Sequence, residues 1–143
     1  FYAFVFQMLF FALAHIFYII TFFKLKPVRT RTLLTLATCA LCAAIYVTAL
    51  VKVVPCVEDT ILTFCVICYA TIITVMLFSA LKTADAVIAI GACLFVFSDF
   101  ILAWNMFVGK VEGSRYFIMV PYYLAQVTFA ARFAYIQLKK AYI

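Results

Sequence analysis

Asp99 stands near the middle of an apolar run, Ala86 to Val108, that is long enough to cross a bilayer. A carboxylate at that depth costs roughly 3 kcal/mol on insertion scales. Nothing in the hydrophobicity of the run accounts for carrying that cost. An ionisable residue inside a membrane marks a functional site by default, and it faces a bundle interior or a wet cavity. The chemistry open to a carboxyl group there is proton transfer, either in catalysis or in a relay.

Other polar groups lie within helical reach of such a site. The first apolar run holds Gln7, His15 and Tyr18. His15 lies deeper than an interfacial anchor should, so it is either a satisfied packing residue or a polar contact in a central cavity. It is the single histidine of the chain, which disfavours a metal role. The last run carries Tyr122, Tyr123 and Gln126, and the i,i+3 and i,i+4 spacings let each tyrosine meet Gln126. An interfacial aromatic belt explains Tyr116 well and Gln126 poorly. Around Asp99, helical spacing puts Ala92, Phe95, Val96, Leu102, Ala103 and Met106 on one stripe. Gly91, Ser98 and Asn105 recur every seven residues on another, about 110° round. Gly91 and Ser98 suit close helix packing, and Asn105 is expected to hydrogen-bond a neighbouring helix.

Cys39-x-x-Cys42 and Cys65-x-x-Cys68 have the spacing of metal ligands. Both pairs fall inside apolar runs without nearby basic partners, so they read as small hydrophobes. No metal and no cofactor is expected. A Gly-rich phosphate loop, a G-x-S-x-G elbow and an H-E-x-x-H motif are all missing from the sequence.

The elements that must position these groups are transmembrane helices. Of 143 residues, 71% are apolar and 11% charged, against roughly 45–50% and ~25% in soluble domains. The chain is expected to be an all-α, polytopic helical bundle forming one domain over residues 1–143. Five runs reach spanning length, at about 2–23, 33–51, 60–81, 86–108 and 116–138. The short connectors dictate antiparallel, up-and-down packing. Pro27, Pro55 and Gly109 punctuate helix ends, while Glu58, Asp59 and Asp85 suit helix N-termini. Lys24, Lys26, Arg29, Arg31, Lys82, Lys139 and Lys140 fall on one side, and Lys52, Lys110 and Arg115 on the other. That asymmetry makes the C-terminus cytoplasmic. Arg132 is expected to snorkel to that surface, or else to pair with Asp99 or a lipid phosphate. The excess of basic residues serves orientation and anionic headgroups, so membrane lipids are expected partners and nucleic acid is not. A start at Phe1, already apolar, reads as a fragment lacking upstream sequence.

The stretch GACLFVFSDFILAWNMF with the downstream PYYLAQ, and the upstream FFALAHIFYI, resembles the YhhN-like family, which includes lysoplasmalogenases. The resemblance covers the first, fourth and fifth spans; the second and third match only as apolar helices. It implies an eight-span enzyme of which these are the last five spans. It also implies hydrolysis of the vinyl ether bond of a lysophospholipid substrate, and, for animal members, the endoplasmic reticulum membrane. Ser98 and Asp99 match the S-D motif. His15 and Tyr18 match the A-H-x-x-Y segment, and Tyr122, Tyr123 and Gln126 match the last motif. Gln7, Met106 and Pro121 depart from the family pattern, which bears on headgroup selectivity. The family's further Asp, in a G-D-type motif, would lie upstream, so the isolated segment is expected to be inactive.

Vinyl ether hydrolysis needs a proton donor, a stabiliser of positive charge and one water. Paired carboxylates divide such labour in glycosidases. On that scheme Asp99 is one catalytic carboxylate and the upstream Asp the other. His15, Tyr18, Ser98, Asn105, Tyr122, Tyr123 and Gln126 are the candidates for orienting water or substrate. Two rival classes stay open, a proton-coupled transporter and a non-catalytic lipid-binding bundle. The first shares the intramembrane carboxylate but lacks a span broken at mid-depth by Gly or Pro.

Overall fold

The computed structural model describes residues 2–25 and 32–142. These form α1 (Tyr2–Lys24), α2 (Thr32–Lys52), a 3-10 turn (Val54–Cys56), α3 (Thr60–Lys82), α4 (Ala86–Ala103), a π turn (Trp104–Val108) and α5 (Ser114–Ala141). The five expected helices are all present; the fourth reaches 108 only through the π turn, and the other ends shift by at most a turn. The connector holding Pro27, Arg29 and Arg31 lies outside the described residues. Among the described residues, four helical segments are long and apolar enough to cross a membrane, Ala3–Lys24, Thr35–Cys56, Thr60–Lys82 and Ala86–Val108, and the fifth expected span, at 116–138, is not one of them. α5 has the length, but Tyr122, Tyr123, Gln126 and Arg132 dilute its apolar character.

The exterior is apolar. Phe10 is 71% exposed and Phe64 68%, which in water would be an aggregation surface. Backbone groups inside hydrocarbon must be satisfied within the chain, and helices do this by construction. Threonines within the helices follow the same rule: Thr48, Thr71, Thr74 and Thr128 each donate to the carbonyl four residues back, at 2.6–2.8 Å.

α3 packs against α1, α2 and α4, and α4 packs most extensively against α5. The Gly91–Ser98 stripe explains the last contact. A Cβ on Gly91 would lie 2.7 Å from Phe129 Cε1, so only glycine admits the Phe129 ring this closely. Seven residues on, Ser98 donates to the Ile118 carbonyl of α5 at 2.8 Å. The buried core joins Phe22, Met76, Leu77, Ile88, Ala92, Phe95, Ala125 and Phe129.

The helix ends follow the sequence signals. Asp59 accepts from Leu62 N at 2.8 Å and caps α3, with Glu58 exposed beside it. Asp85 accepts from Val87 N and Ile88 N at 3.0 and 3.3 Å and caps α4. Gly113, at φ 70°, supplies the left-handed residue that starts α5. Arg132 does not snorkel freely or reach Asp99. Its Nε and Nη2 both donate to Asp85 Oδ2 at 2.6 Å. The reason is antiparallel packing, which brings the end of α5 beside the start of α4. Asp85→Ala should therefore lower stability by about 1–2 kcal/mol through the lost cap, with a further loss from unpaired Arg132. Asp85→Asn should recover most of the cap. Thermal unfolding in detergent distinguishes the two variants.

The π turn was not expected. Gly109 N donates to Trp104 O at 3.0 Å, a bond across five residues. The extra residue rotates the end of the helix. Met106, expected on the Asp99 stripe, is consequently 48% exposed. Asn105, expected to bond a neighbouring helix, instead accepts from Val111 N at 2.9 Å and ties down the connector to α5.

Candidate active site

Asp99 sits where α4 faces α1 and α3. Tyr69 of α3 donates its hydroxyl to Asp99 Oδ2 at 3.0 Å. His15 of α1 places Nε2 3.8 Å from the same oxygen. The Asp99 side chain is 10% exposed and the His15 side chain fully buried. The carboxyl group therefore points into the bundle, with polar company from two other helices.

His15 is oriented from behind. Its Nδ1 lies 2.6 Å from the Phe11 carbonyl. A carbonyl only accepts, so Nδ1 carries a hydrogen and Nε2 is the nitrogen turned to Asp99. Nε2 has no hydrogen-bond partner among the described residues. The ring is fixed by aromatic edges, with Phe95 at 4.5 Å, Tyr69 at 5.8 Å and Tyr18 at 6.3 Å between centroids. This packing is what makes a buried histidine single-valued in orientation.

Asp99 and Tyr69 also line a cavity of about 100 Å³ between α1, α2, α3 and α4. Its walls are mostly apolar, with Phe11, Ile45, Val66 and Phe100 among them, and with Gln7, Tyr46 and Thr74 as further polar members. Tyr46 shares a hydrogen bond with Thr71, 3.2 Å between the hydroxyl oxygens. A groove of about 420 Å³ opens between α2 and α4, and Ile45, Val96 and Phe100 line both spaces. The geometry suits an apolar chain presented to one carboxyl group, with room for a water beside it.

The sequence candidates divide by position. His15 joins Asp99. Tyr18 donates to Gln126 Oε1 at 2.7 Å, which links α1 to α5 away from the carboxyl group. Tyr122 packs edge-on against Phe11 and Phe95 at 5.7 and 5.5 Å and backs the site. Tyr123 is 59% exposed on the outer face of α5. Ser98 and Asn105 spend their polar groups on the Ile118 carbonyl and the Val111 amide. Of the seven orienting candidates, the structure thus brings only His15 to the carboxyl group. Tyr69 was missed, because tyrosine in an apolar run passes as part of the run. The signal available was its mid-span position, too deep for an interfacial belt.

Fold and site together define an all-α bundle of membrane-crossing helices with a carboxyl group built into its interior. A family model described as the YhhN family matches residues 2–133. The chain belongs to that family, and the match runs through α2 and α3 as well as the helices that carry the sequence motifs. No curated protein and no solved structure matches the chain.

Proposed function

We propose that this chain forms part of the active site of a membrane hydrolase that cleaves the vinyl ether bond of lysoplasmalogens. The observation that carries the proposal is Asp99, whose carboxyl group lines an apolar cavity while Tyr69 and His15 face it from neighbouring helices. Family membership is compatible with this chemistry.

The reaction begins when an acid gives a proton to the outer alkene carbon. The ether oxygen then shares the positive charge as an oxocarbenium ion. Water attacks the carbon bonded to that oxygen and loses a proton. The resulting hemiacetal collapses to a fatty aldehyde and glycerophosphocholine or glycerophosphoethanolamine. Asp99 is the candidate to give the first proton or take the second, and an ionised carboxylate nearby stabilises the cation between them. A second Asp, in the G-D-type motif that the family resemblance implies, is the candidate for the other carboxylate. The apolar cavity and the adjoining groove suit the alkenyl chain. The endoplasmic reticulum membrane and a cytoplasmic C-terminus complete the proposal.

Purified full-length protein in detergent, given lysoplasmalogen, should release free aldehyde. A transporter or a passive lipid-binding bundle gives none, because a carrier shows its activity only between two compartments. Absence of aldehyde from folded protein would overturn the hydrolase reading.

A further inference from the structure

Among the described residues, the hydrogen bond and the histidine contact of the Asp99 carboxyl group both fall on one oxygen. Tyr69 Oη is 3.0 Å from Oδ2, and His15 Nε2 is 3.8 Å from the same atom. Oδ1 is not among the buried unpartnered atoms of the described residues, although His15 Nε2 is. Since Asp99 lines the cavity and keeps a small exposed fraction, the open edge of the carboxyl group is Oδ1.

We propose that Tyr69 is a positioning residue that pins Oδ2 of Asp99, with His15 closing the same side, so that Oδ1 alone meets the reacting bond. This deepens the hydrolase reading and rests on it for the identity of the reacting bond. A carboxyl group on a free χ2 torsion would present either oxygen to the cavity, because that torsion is broad and two-fold. A hydroxyl donor on one oxygen removes the degeneracy. With Asp99 as the acid of the pair, the same donor also stabilises the carboxylate left when Oδ1 gives up its proton, and fixed donors of this kind act most strongly where water is scarce. Three helices contribute one group each, α1 His15, α3 Tyr69 and α4 Asp99, so the oxygen selected depends on how the helices are packed.

The test is Tyr69→Phe in the full-length protein, which removes one oxygen and keeps the ring that lines the cavity. The expected result is a fall in kcat of roughly 10- to 100-fold, the value of one hydrogen bond to a charged group. KM and the thermal midpoint should be nearly unchanged. Infrared spectroscopy supplies a second readout that a packing role would not move. The Asp99 carboxyl band, identified as the one lost in Asp99→Asn, should shift in Tyr69→Phe because its donor is gone. An unmoved band, an unchanged kcat, or a loss of activity that follows a lower thermal midpoint would each overturn the proposal. The band is measured without substrate. A protein that releases no aldehyde but shows the shift therefore loses the hydrolase reading alone.

Discussion

Asp99→Asn should abolish aldehyde release by the full-length protein while leaving membrane insertion and the thermal midpoint intact. The substitution keeps the size of the side chain and leaves an oxygen for Tyr69 to donate to. What it removes is the exchangeable acid proton and the negative charge. General acid–base groups contribute typically 10²–10⁴-fold. A variant below about 1% of wild-type turnover would fit a proton-transfer role. A carboxylate in a purely structural role would behave differently, since a neutral amide at this depth relieves part of the insertion cost. In that case Asn would be tolerated or stabilising, and turnover would persist.

Phe95→Ala should produce the largest loss of stability among single core changes near the site, about 3–5 kcal/mol by the range for buried Phe→Ala. Phe95 is fully buried. It packs edge-on to His15 at 4.5 Å and to Tyr122 at 5.5 Å, and it stacks on Phe129 at 6.5 Å. Helix association in lipid has no water to exclude, so van der Waals contact of this kind carries much of the cohesion. The void would adjoin the His15 ring, and activity should fall along with stability. Phe95→Leu, which keeps most of the volume, should cost less on both measures. Unfolding in mixed detergent micelles, compared with initial rates of aldehyde release, checks both statements. Full stability in Phe95→Ala would mean that the aromatic cluster does not hold His15 in place.

Much of the architecture was legible because lipid simplifies the code. A run of some twenty apolar residues can only be a helix or part of a closed barrel. The acids at positions 59 and 85 marked the helix starts they cap. Gly91 and Ser98, seven apart, marked the face that α5 occupies. Asp99 declared itself by its cost. The partners did not, since contact between helices depends on depth and rotation together. Depth was in fact available for Tyr69. It lies two residues before position 71, the midpoint of α3, and Asp99 lies two residues after position 97, the midpoint of Ala86–Val108. In antiparallel neighbours those positions share a level.

Rotation was harder to read. The π turn at Trp104–Val108 adds a residue that no apolar pattern announces, which turned Met106 outward and spent Asn105 on the connector. Tyr123 matched a family motif, yet it sits on the outer face of α5, because its neighbour Tyr122 is the one turned towards Phe11 and Phe95. Arg132 was expected at a surface or beside Asp99, and it pairs with Asp85 instead. Its partner required knowing that the two chain segments meet there.

The catalytic role given to Asp99 depends on an acid of the protein protonating the outer alkene carbon of a vinyl ether. Hydrolysis in D₂O by the purified full-length protein, with the aldehyde reduced as it forms, probes that step at the atom concerned. One deuterium on the carbon next to the former carbonyl carbon, formed by wild type and not by Asp99→Asn, is the predicted result. Product with no deuterium at that carbon would contradict protonation there, and label formed equally by Asp99→Asn would contradict the role given to Asp99.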